Sequence, residues 1–373
     1  MTNRTIWLRH ETKPFEERSA LTPQAALMLK ELGHEVIIER SPSRIFKDDE
    51  FEALGLKMMP TNSWINFAPA NAFILGLKEL DVHTFPLTHR HIHFAHVYKN
   101  QTGSKEMLDR FIQGDGKLYD LEYLTDPKGR RIAAFGKWAG FVGAALGLKN
   151  WICQQRGKDF NDCGPLNSYS SQHELINDIS KELDELGSRP RVLVIGNRGR
   201  CGRGAKELLE AVGVEMTGWG RADTQVARPI KQILDYDILV NCTLNKKPAE
   251  PFLNLEILQN ERNLSVISDV SCDPTGPCNP LPIYPDITTI DIPTFRVQEL
   301  DQLLEVTAID HLPSLLPRES TEEYVEQLLP HLINLLNGDI EDSPWENALE
   351  IFYQKTIELG LEKKLVEEPQ LLM

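Results

Sequence analysis

Apolar and polar positions along the chain fall into two successive runs of alternating strand and helix patterns. Residues 5–8 form a short apolar run that ends at charge. The pattern then predicts a helix over 23–33, with Thr22 as N-cap and Gly33 just past its end. A second strand follows at 35–38, and this strand, helix, strand order signals an α/β layer. Residues 72–75 and 92–97 read as further strands, each followed by polar residues. Residues 131–151 have helical character, and Gly136, Gly140 and Gly143, spaced by four and three, share a face that allows close packing. The polar stretch 180–189 leads to Pro190 and a second α/β unit. That unit reads as strand 191–195, a glycine turn, helix 205–211 and strand 215–219, with further strands at 236–242 and 264–270. From Glu319 the chain is helical and acidic.

At 373 residues the chain is too long for one ordinary domain and suggests two to three. It is long enough to bury its apolar surface without disulfides. The net charge of −15 argues against nucleic acid as the main partner, because phosphate binding needs a basic face. Local basic spots still matter: Arg198, Arg200 and Arg203 lie inside one glycine-rich stretch, where an anion could be held. The cysteines are Cys153, Cys163, Cys201, Cys242, Cys272 and Cys278, with no CxxC pair and no disulfide framework. The N-terminal MTNRTIWLRHETK lacks the apolar core of a signal peptide. Residues 132–148, the most membrane-like stretch, contain Lys137 and four glycines and are too short and broken to span a bilayer. The expectation is a cytoplasmic enzyme with no membrane partner.

The strongest motif readable from physics alone is VLVIGNRGRCGRG. A buried strand runs into Gly196, Gly199, Gly202 and Gly204, and a helix is expected right after. Glycines there permit a sharp turn and let backbone N–H groups approach a pyrophosphate at the helix N-terminus. The spacing is GxxGxxG rather than GxGxxG, so the context carries the reading. The fingerprint also expects an acidic residue at the end of the second strand, to hold the adenosine ribose 2′-hydroxyl. Here the strand ends Trp219-Gly220-Arg221, and Asp223 lies further into the loop. Arginine at that place suits a 2′-phosphate, so NADP(H) is a candidate beside NAD(H). The alternative is that Arg221 stacks on adenine or faces solvent.

In the first half, charged groups collect at strand ends and in loops. Lys13 and Arg18 follow the first strand, Lys78 and Glu79 follow 72–75, and His96, Lys99 and Gln101 end another strand. Glu122 closes YDLE, and Arg130 and Arg131 precede the glycine-bearing helix. Ligands of open α/β sheets bind beyond the carboxyl ends of strands, so these groups could line one crevice. Lys13, Arg18, Lys99 and Arg131 could meet a substrate with several carboxylates. Lys78 and His96 are acid–base candidates. Alternation puts His89, His91 and His93 on one strand face, but no Cys or third-element ligand partners them, and no metal is expected.

The segments LRHETKPFEERSALTP, GLKE, FAHVYKNQTG, LYDLEYL, GRRIAAFGKWAGFVGAALG, GNRGRCGRG, SDVSCDPT and AIDHLPSLLPRES resemble the lysine-forming saccharopine dehydrogenase family. The matches run in order from about residue 6 to 320, and the wider kinship is with alanine dehydrogenase-like proteins. The resemblance implies an α/β fold of two Rossmann-like domains, each with a parallel-sheet core, and an active site in the interdomain cleft. Residues 1–132 plus 319–373 would bind substrate, and 133–318 would form the Rossmann dinucleotide-binding domain. Lys78 and His96 match the family's acid–base pair, and Glu79 and Glu122 the carboxylates that tune it. Arg18, Gln101, Arg131, Phe135 and the Ser271, Cys272, Asp273 stretch match substrate contacts, with Lys13 and Lys99 beside them. Arg130, Gly199, Arg200, Thr224, Val270, Ile309, Asp310, His311 and Leu312 match dinucleotide contacts, together with Gly196 and Gly202 of the turn. Leu244 falls where an aromatic is usual. Gly220, followed by Arg221, replaces the family's ribose-binding aspartate.

The implied reaction belongs to lysine biosynthesis. Hydride leaves the glutamate Cα of saccharopine for the nicotinamide of NAD(P). The imine takes up water and collapses to lysine and 2-oxoglutarate. Lys78 would be the base and His96 the proton shuttle. Burial and arginine neighbours would lower the Lys78 pKa, and Glu79 would oppose them. Rival readings are an opine or amino-acid dehydrogenase on another amine–oxoacid pair, and a catalytically silent cofactor-binding protein. A monomer is implied by resemblance. Cys201 and Cys242 could approach as a redox pair, or be two buried small hydrophobes.

Overall fold

The run Thr5–Leu8 is buried at every position and becomes strand β1 of the first sheet. In this computed structural model, residues 4–81, 83–99, 102–243, 245 and 247–361 are described. The chain divides into two compact units, Met1–Ala134 with Thr321–Met373 and Phe135–Ser320.

Unit 1 continues through α1 (Pro23–Glu31), β2 (Glu35–Glu39), α2 (Asp48–Glu52), β3 (Lys57–Met59) and α3 (Trp64–Phe67). Then come β4 (Phe73–Leu75), β5 (Arg90–His93), α4 (Ser104–Gly114) and β6 (Lys117–Asp120). Helix α1 starts where sequence places it: Thr22 Oγ1 accepts from Ala25 N at 3.2 Å, Pro23 opens the first turn, and Gly33 takes φ +93°. Such a cap contributes about 1 kcal/mol. The strands order as β3-β2-β1-β4-β5-β6, all parallel. Strand order reverses between β1 and β4, which opens a crevice beyond their carboxyl ends.

Unit 2 contains α5 (Gly136–Gln155), α6 (Gln172–Leu186), β7 (Val192–Ile195), α7 (Arg200–Ala211) and β8 (Met216–Trp219). It continues with β9 (Ile238–Asn241), β10 (Val266–Asp269), β11 (Phe295–Arg296) and β12 (Glu305–Thr307). The order is β11-β12-β10-β9-β7-β8, parallel except for β11 against β12. The continuous apolar run of β7 is explained by burial on both faces. Val192 and Val194 pack into one core with α5, α6 and α7, and Leu193 and Ile195 into another with Ile233 and Phe252. Helix α8 (Pro317–Asn337) carries the chain back into unit 1, where α9 (Pro344–Glu358) seats Trp345 against Tyr119 and Phe352 against Phe111.

The glycines of α5 serve two neighbours rather than one. A Cβ at Gly140 would run into the Cys201 carbonyl of α7, while one at Gly143 would lie 2.5 Å from Val270 Cγ2 beside β10. Ser268 Oγ donates to the Gly143 carbonyl at 2.8 Å. Side chains at either glycine would force the layers apart, at about 1–3 kcal/mol.

Several boundaries differ from the sequence expectation. The helix expected at 131–151 begins only at Gly136, because residues 125 and 131 pair in a β-bridge. The strand expected at 92–97 is Arg90–His93, and His96 has left the sheet with φ +53°. Residues 180–186 of the polar stretch belong to α6, an amphipathic helix capped by Ser171 that buries Leu175, Ile179 and Leu183. Helix α7 starts at Arg200, not 205, so Gly202 and Gly204 lie inside it.

Candidate active site

The carboxyl ends of β1, β4, β5 and β6 deliver one connected set of charges in unit 1. His96 Nδ1 lies 2.8 Å from Glu79 Oε1, and Lys13 Nζ is 3.6 Å from Glu79 Oε2. On its other side His96 Nε2 is 3.8 Å from Glu122 Oε2. Glu122 Oε1 also meets Lys99 Nζ and Arg131 Nη2, each at 3.2 Å. The Arg131 guanidinium sits 5.9 Å from the Phe94 ring centroid. Lys78 adjoins this chain, half-buried, with its backbone fixed at both ends. Its N–H donates to Glu11 Oε2 at 2.9 Å, and its carbonyl accepts from Arg9.

The electrostatics are reciprocal. The hydrogen bond to Glu79 raises the His96 pKa above its usual 6.5, against the effect of burial. Burial would raise Glu79, but His96 and Lys13 overcome it and hold that carboxyl at about 2. Burial likewise opposes ionisation of Glu122, and Arg131, Lys99 and His96 hold it below its usual range. His96 sits in the left-handed region, where a non-glycine residue carries strain of about 1–3 kcal/mol. That strain turns the ring out of the strand and onto Glu79. Because Nδ1 is engaged by a carboxylate, Nε2 is the nitrogen able to exchange a proton.

Not every expected residue joins this set. Arg18 is buried and clamps Glu16 through Nε at 2.8 Å and Nη2 at 2.6 Å. Arg130 turns to Asp126, with Nε 2.7 Å from Oδ2. Gln101 and Leu244 lie outside the described residues. His89, His91 and His93 share a face of β5 as expected, with successive ring centroids 6.3 and 6.1 Å apart. They line the core against Trp64 and Phe111 rather than solvent.

Unit 2 builds its sheet end differently. Gly196 takes φ +84°, where a Cβ would lie 2.7 Å from the Cys242 carbonyl oxygen. A Cβ on Gly202 would lie 2.5 Å from Asn197 Cα and closer still to the Gly196 carbonyl. Gly199 is the N-cap of α7, and no side chain caps that helix. These residues fit a dinucleotide: the turn has room only for backbone, and the uncapped helix start presents N–H groups to a pyrophosphate. The second strand, β8, is tied to the turn, since Gly196 N and Asn197 N both donate to the Trp219 carbonyl. Thr224 Oγ1 donates to the Arg221 carbonyl at 3.2 Å. Ile309 and Leu312 pack in the core near Val270, and His311 Nδ1 is 2.5 Å from Asp310 Oδ1. Phe135 is the N-cap residue of α5.

At the end of β10 the structure shows a group that sequence reasoning missed. Asp269 is fully buried and accepts from Tyr284 Oη and Ser271 Oγ, each at 2.6 Å, and from Asn241 Nδ2 at 2.9 Å. It thereby orients Ser271, while Cys272 (φ +50°) donates to the Ala308 carbonyl at 3.1 Å. Nothing local in SDVSCDPT separates Asp269 from Asp273, since the buried one is chosen by distant Tyr284. The cysteines are free thiols. Burial pushes Cys201 and Cys242 up, which disfavours the thiolate that oxidation needs. Cys153 Sγ lies 3.6 Å from Cys163 Sγ.

Two doubly wound units, one ending in charge and one in a glycine cradle that fits a dinucleotide, define a two-unit α/β protein. Residues 7–142 match the family described as alanine dehydrogenase/PNT, N-terminal domain. Among solved structures, an L-alanine dehydrogenase superposes with TM-score 0.67 at 17% identity, covering 95% of this chain and 99% of that one. A transhydrogenase from Sinorhizobium meliloti gives 0.61 at 14% identity, over 92% and 97%. Proteins named saccharopine dehydrogenase [NAD(+), L-lysine-forming] are much closer in sequence. The one from Yarrowia lipolytica is 46% identical over 95% of this chain and 98% of its own. That of Emericella nidulans is 45% identical over 96% and 99%. The chain belongs to the L-lysine-forming saccharopine dehydrogenase family.

Proposed function

We propose that the protein interconverts saccharopine with L-lysine and 2-oxoglutarate, using NAD. The connected set of Lys13, Glu79, His96, Lys99, Glu122 and Arg131 at the switch point of unit 1 carries this reading. A substrate with three carboxylates and a reacting amine needs cations for binding and a proton-exchanging pair for chemistry. In this reading unit 1, taken as 1–132 plus 319–373, handles substrate, and 133–318 binds dinucleotide.

Lys78 removes the proton of the secondary amine. NAD, when bound, supplies the hydride acceptor. Water then adds to the imine carbon, and His96 moves the protons through Nε2 while Glu79 holds Nδ1. Collapse of the carbinolamine releases lysine and 2-oxoglutarate, so saccharopine, NAD and water give lysine, 2-oxoglutarate, NADH and a proton. Arg131, Lys99 and Lys13 bind substrate carboxylates, and Arg18 holds Glu16 in place. Ser271, Cys272 and Asp273 of unit 2 are further substrate-contact candidates, with Asp269 orienting Ser271. The cradle of Gly196, Gly199, Arg200 and Gly202 takes the pyrophosphate, with Thr224, Val270 and residues 309–312 around it.

The names of the relatives specify NAD(+), which supports NAD over NADP. No helix among the described residues is long and apolar enough to cross a membrane. The reading places the enzyme in the cytoplasm as a monomer, which should sediment near its chain mass of 42.4 kDa. The deciding assay follows NADH oxidation in the presence of lysine and 2-oxoglutarate. Oxidation that requires both establishes the reaction. None with that pair, but turnover with another amine and oxoacid, would refute it.

A further inference from the structure

A carboxylate is missing from the end of β8, yet another one stands in its space. Asp223 folds back over the β8 loop, and its Oδ2 accepts from the Gly220 N–H at 2.7 Å. The same oxygen lies 3.8 Å from the point where a Cβ of residue 220 would stand. A side chain at residue 220 would meet these neighbours at ordinary van der Waals distance. Asn197, from the glycine turn, reaches the same place, with Oδ1 at 3.7 Å from that point and Nδ2 pressed over Gly218. That Oδ1 is buried and has no hydrogen-bond partner among the described residues. Two acceptors therefore converge beside Gly220, one anionic and exposed, the other an orphan. A single bond to Gly220 leaves most of the acceptor capacity of the Asp223 carboxylate unused.

We propose that Asp223 takes the place of the ribose-binding carboxylate at the end of the second Rossmann strand. In that role it reads the adenosine 2′-hydroxyl and sets the preference for NAD. The inference rests on the dinucleotide reading of unit 2 above and assigns its specificity to one residue. The chemistry is that of donor against acceptor. A ribose hydroxyl donates to a carboxylate in a charge-assisted bond. A 2′-phosphate brings only acceptors and negative charge, which the same carboxylate repels. Arg198 Nε also lies 3.8 Å from the Gly220 Cβ position, and Arg221 follows in the chain. These cations would favour a phosphate if Asp223 were absent. The carboxylate is thus the element that tips a cationic strand end towards the unphosphorylated ribose. The sequence fingerprint looks broken because the carboxylate arrives three residues late and is folded back by the backbone bond.

Fluorescence titration of NADH and NADPH into the full chain tests this without turnover. The wild type is expected to bind NADH more tightly than NADPH. Asp223→Ala should weaken NADH about tenfold to a hundredfold, the value of one charge-assisted hydrogen bond, and leave NADPH unchanged or tighter. Adding Gly220→Asp to that variant should restore NADH binding from the usual fingerprint position. Unchanged NADH affinity in Asp223→Ala overturns the proposal. An equal loss for both dinucleotides also overturns it, because Asp223 would then only shape the loop. A wild type that binds neither dinucleotide overturns the unit 2 reading as well, which separates the two failures.

Discussion

Beyond β1, β4, β5 and β6, unit 1 places charged side chains in contact, and Glu79 and Glu122 flank His96 at 2.8 and 3.8 Å. Beyond β7, unit 2 instead dispenses with side chains at Gly196, Gly199 and Gly202 and presents backbone. The same doubly wound architecture therefore serves two tasks by opposite means. Moving protons needs groups whose pKa neighbours can tune, so the unit 1 site is sensitive to charge. Seating a pyrophosphate needs close backbone approach, so the unit 2 site is sensitive to volume. Substitutions chosen to change only one of these properties should separate the two units.

The largest effect is expected from charge removal in unit 1. Replacing Lys78 by Met and His96 by Gln together should lower kcat by about a hundredfold to ten-thousandfold, the usual worth of general acid–base catalysis. NADH binding by fluorescence should stay at the wild-type value. Near-normal turnover would remove the catalytic assignment, and lost NADH affinity would break the division of labour. The converse change is volume without charge. Gly202→Val would set a side chain against Gly196 and Asn197 backbone atoms that cannot move aside. NADH affinity should fall about a hundredfold with a lower Tm, since overpacking costs about 1–3 kcal/mol. The His96 NMR titration should be unmoved, and a shift there would deny the independence of the two sites.

Much of this contrast was legible in the sequence because it depends on local pattern. The buried runs of β1 and β7, the Thr22 cap and the strand-end positions of Glu79, His96 and Glu122 all follow from residue type and spacing. What was not legible depends on partners far along the chain. Arg18 looked like a free cation, but Glu16 claims it once both are buried. The stretch 180–189 read only as polar, because the buried residues of α6, Leu175, Ile179 and Leu183, come once per turn and gain their face from the core of unit 2. Alternation put the β5 histidines on one strand face without saying which way that face turns. Tertiary packing against Trp64 makes them core residues, a fate that periodicity alone cannot separate from exposure.

Those histidines extend the comparison to acid stability. Burial holds His91 and His93 well below 6.5, so below that pH they charge in the unfolded chain but not in the folded one. Stability is then lost as pH falls below 6.5, by about 1.4 kcal/mol per pH unit for each histidine. His10, His34 and His89 are lowered by burial as well and carry the same sign. Asp120, pushed up to about 6, Glu11, also raised by burial, and His96, raised by Glu79, carry the opposite sign. The lowered histidines outnumber them, so unit 1 should loosen on going from pH 7 to 5. The described histidines of unit 2, His173 and His311, are not buried. Hydrogen exchange corrected for intrinsic rate should show β5 amides losing protection before those of β7 and β9. Simultaneous loss would contradict the contrast.

The smallest effect concerns the pair at the centre of the unit 1 site. Glu79→Gln keeps the shape of the side chain but removes the charge that raises His96. The His96 pKa should move down towards 6.5, read from its Cε1–H resonance. The sign of the stability change follows from both partners. The raised His96 contributes fully below 6.5, and its contribution disappears as pH climbs through its folded value. Glu79, lowered to about 2, contributes fully above 4.5 and loses its contribution as pH drops towards 2. The pair is therefore at full strength between 4.5 and 6.5, and the variant should be most destabilised there and less so at more acidic or more alkaline pH. Both groups are partly open to solvent, so the loss should stay under about 1 kcal/mol. Because the variant still hydrogen-bonds Nδ1, kcat should fall through the pH profile rather than through lost structure, with its basic limb displaced in the direction of the His96 shift. An unchanged His96 titration would mean that Glu122, at 3.8 Å, tunes the ring instead.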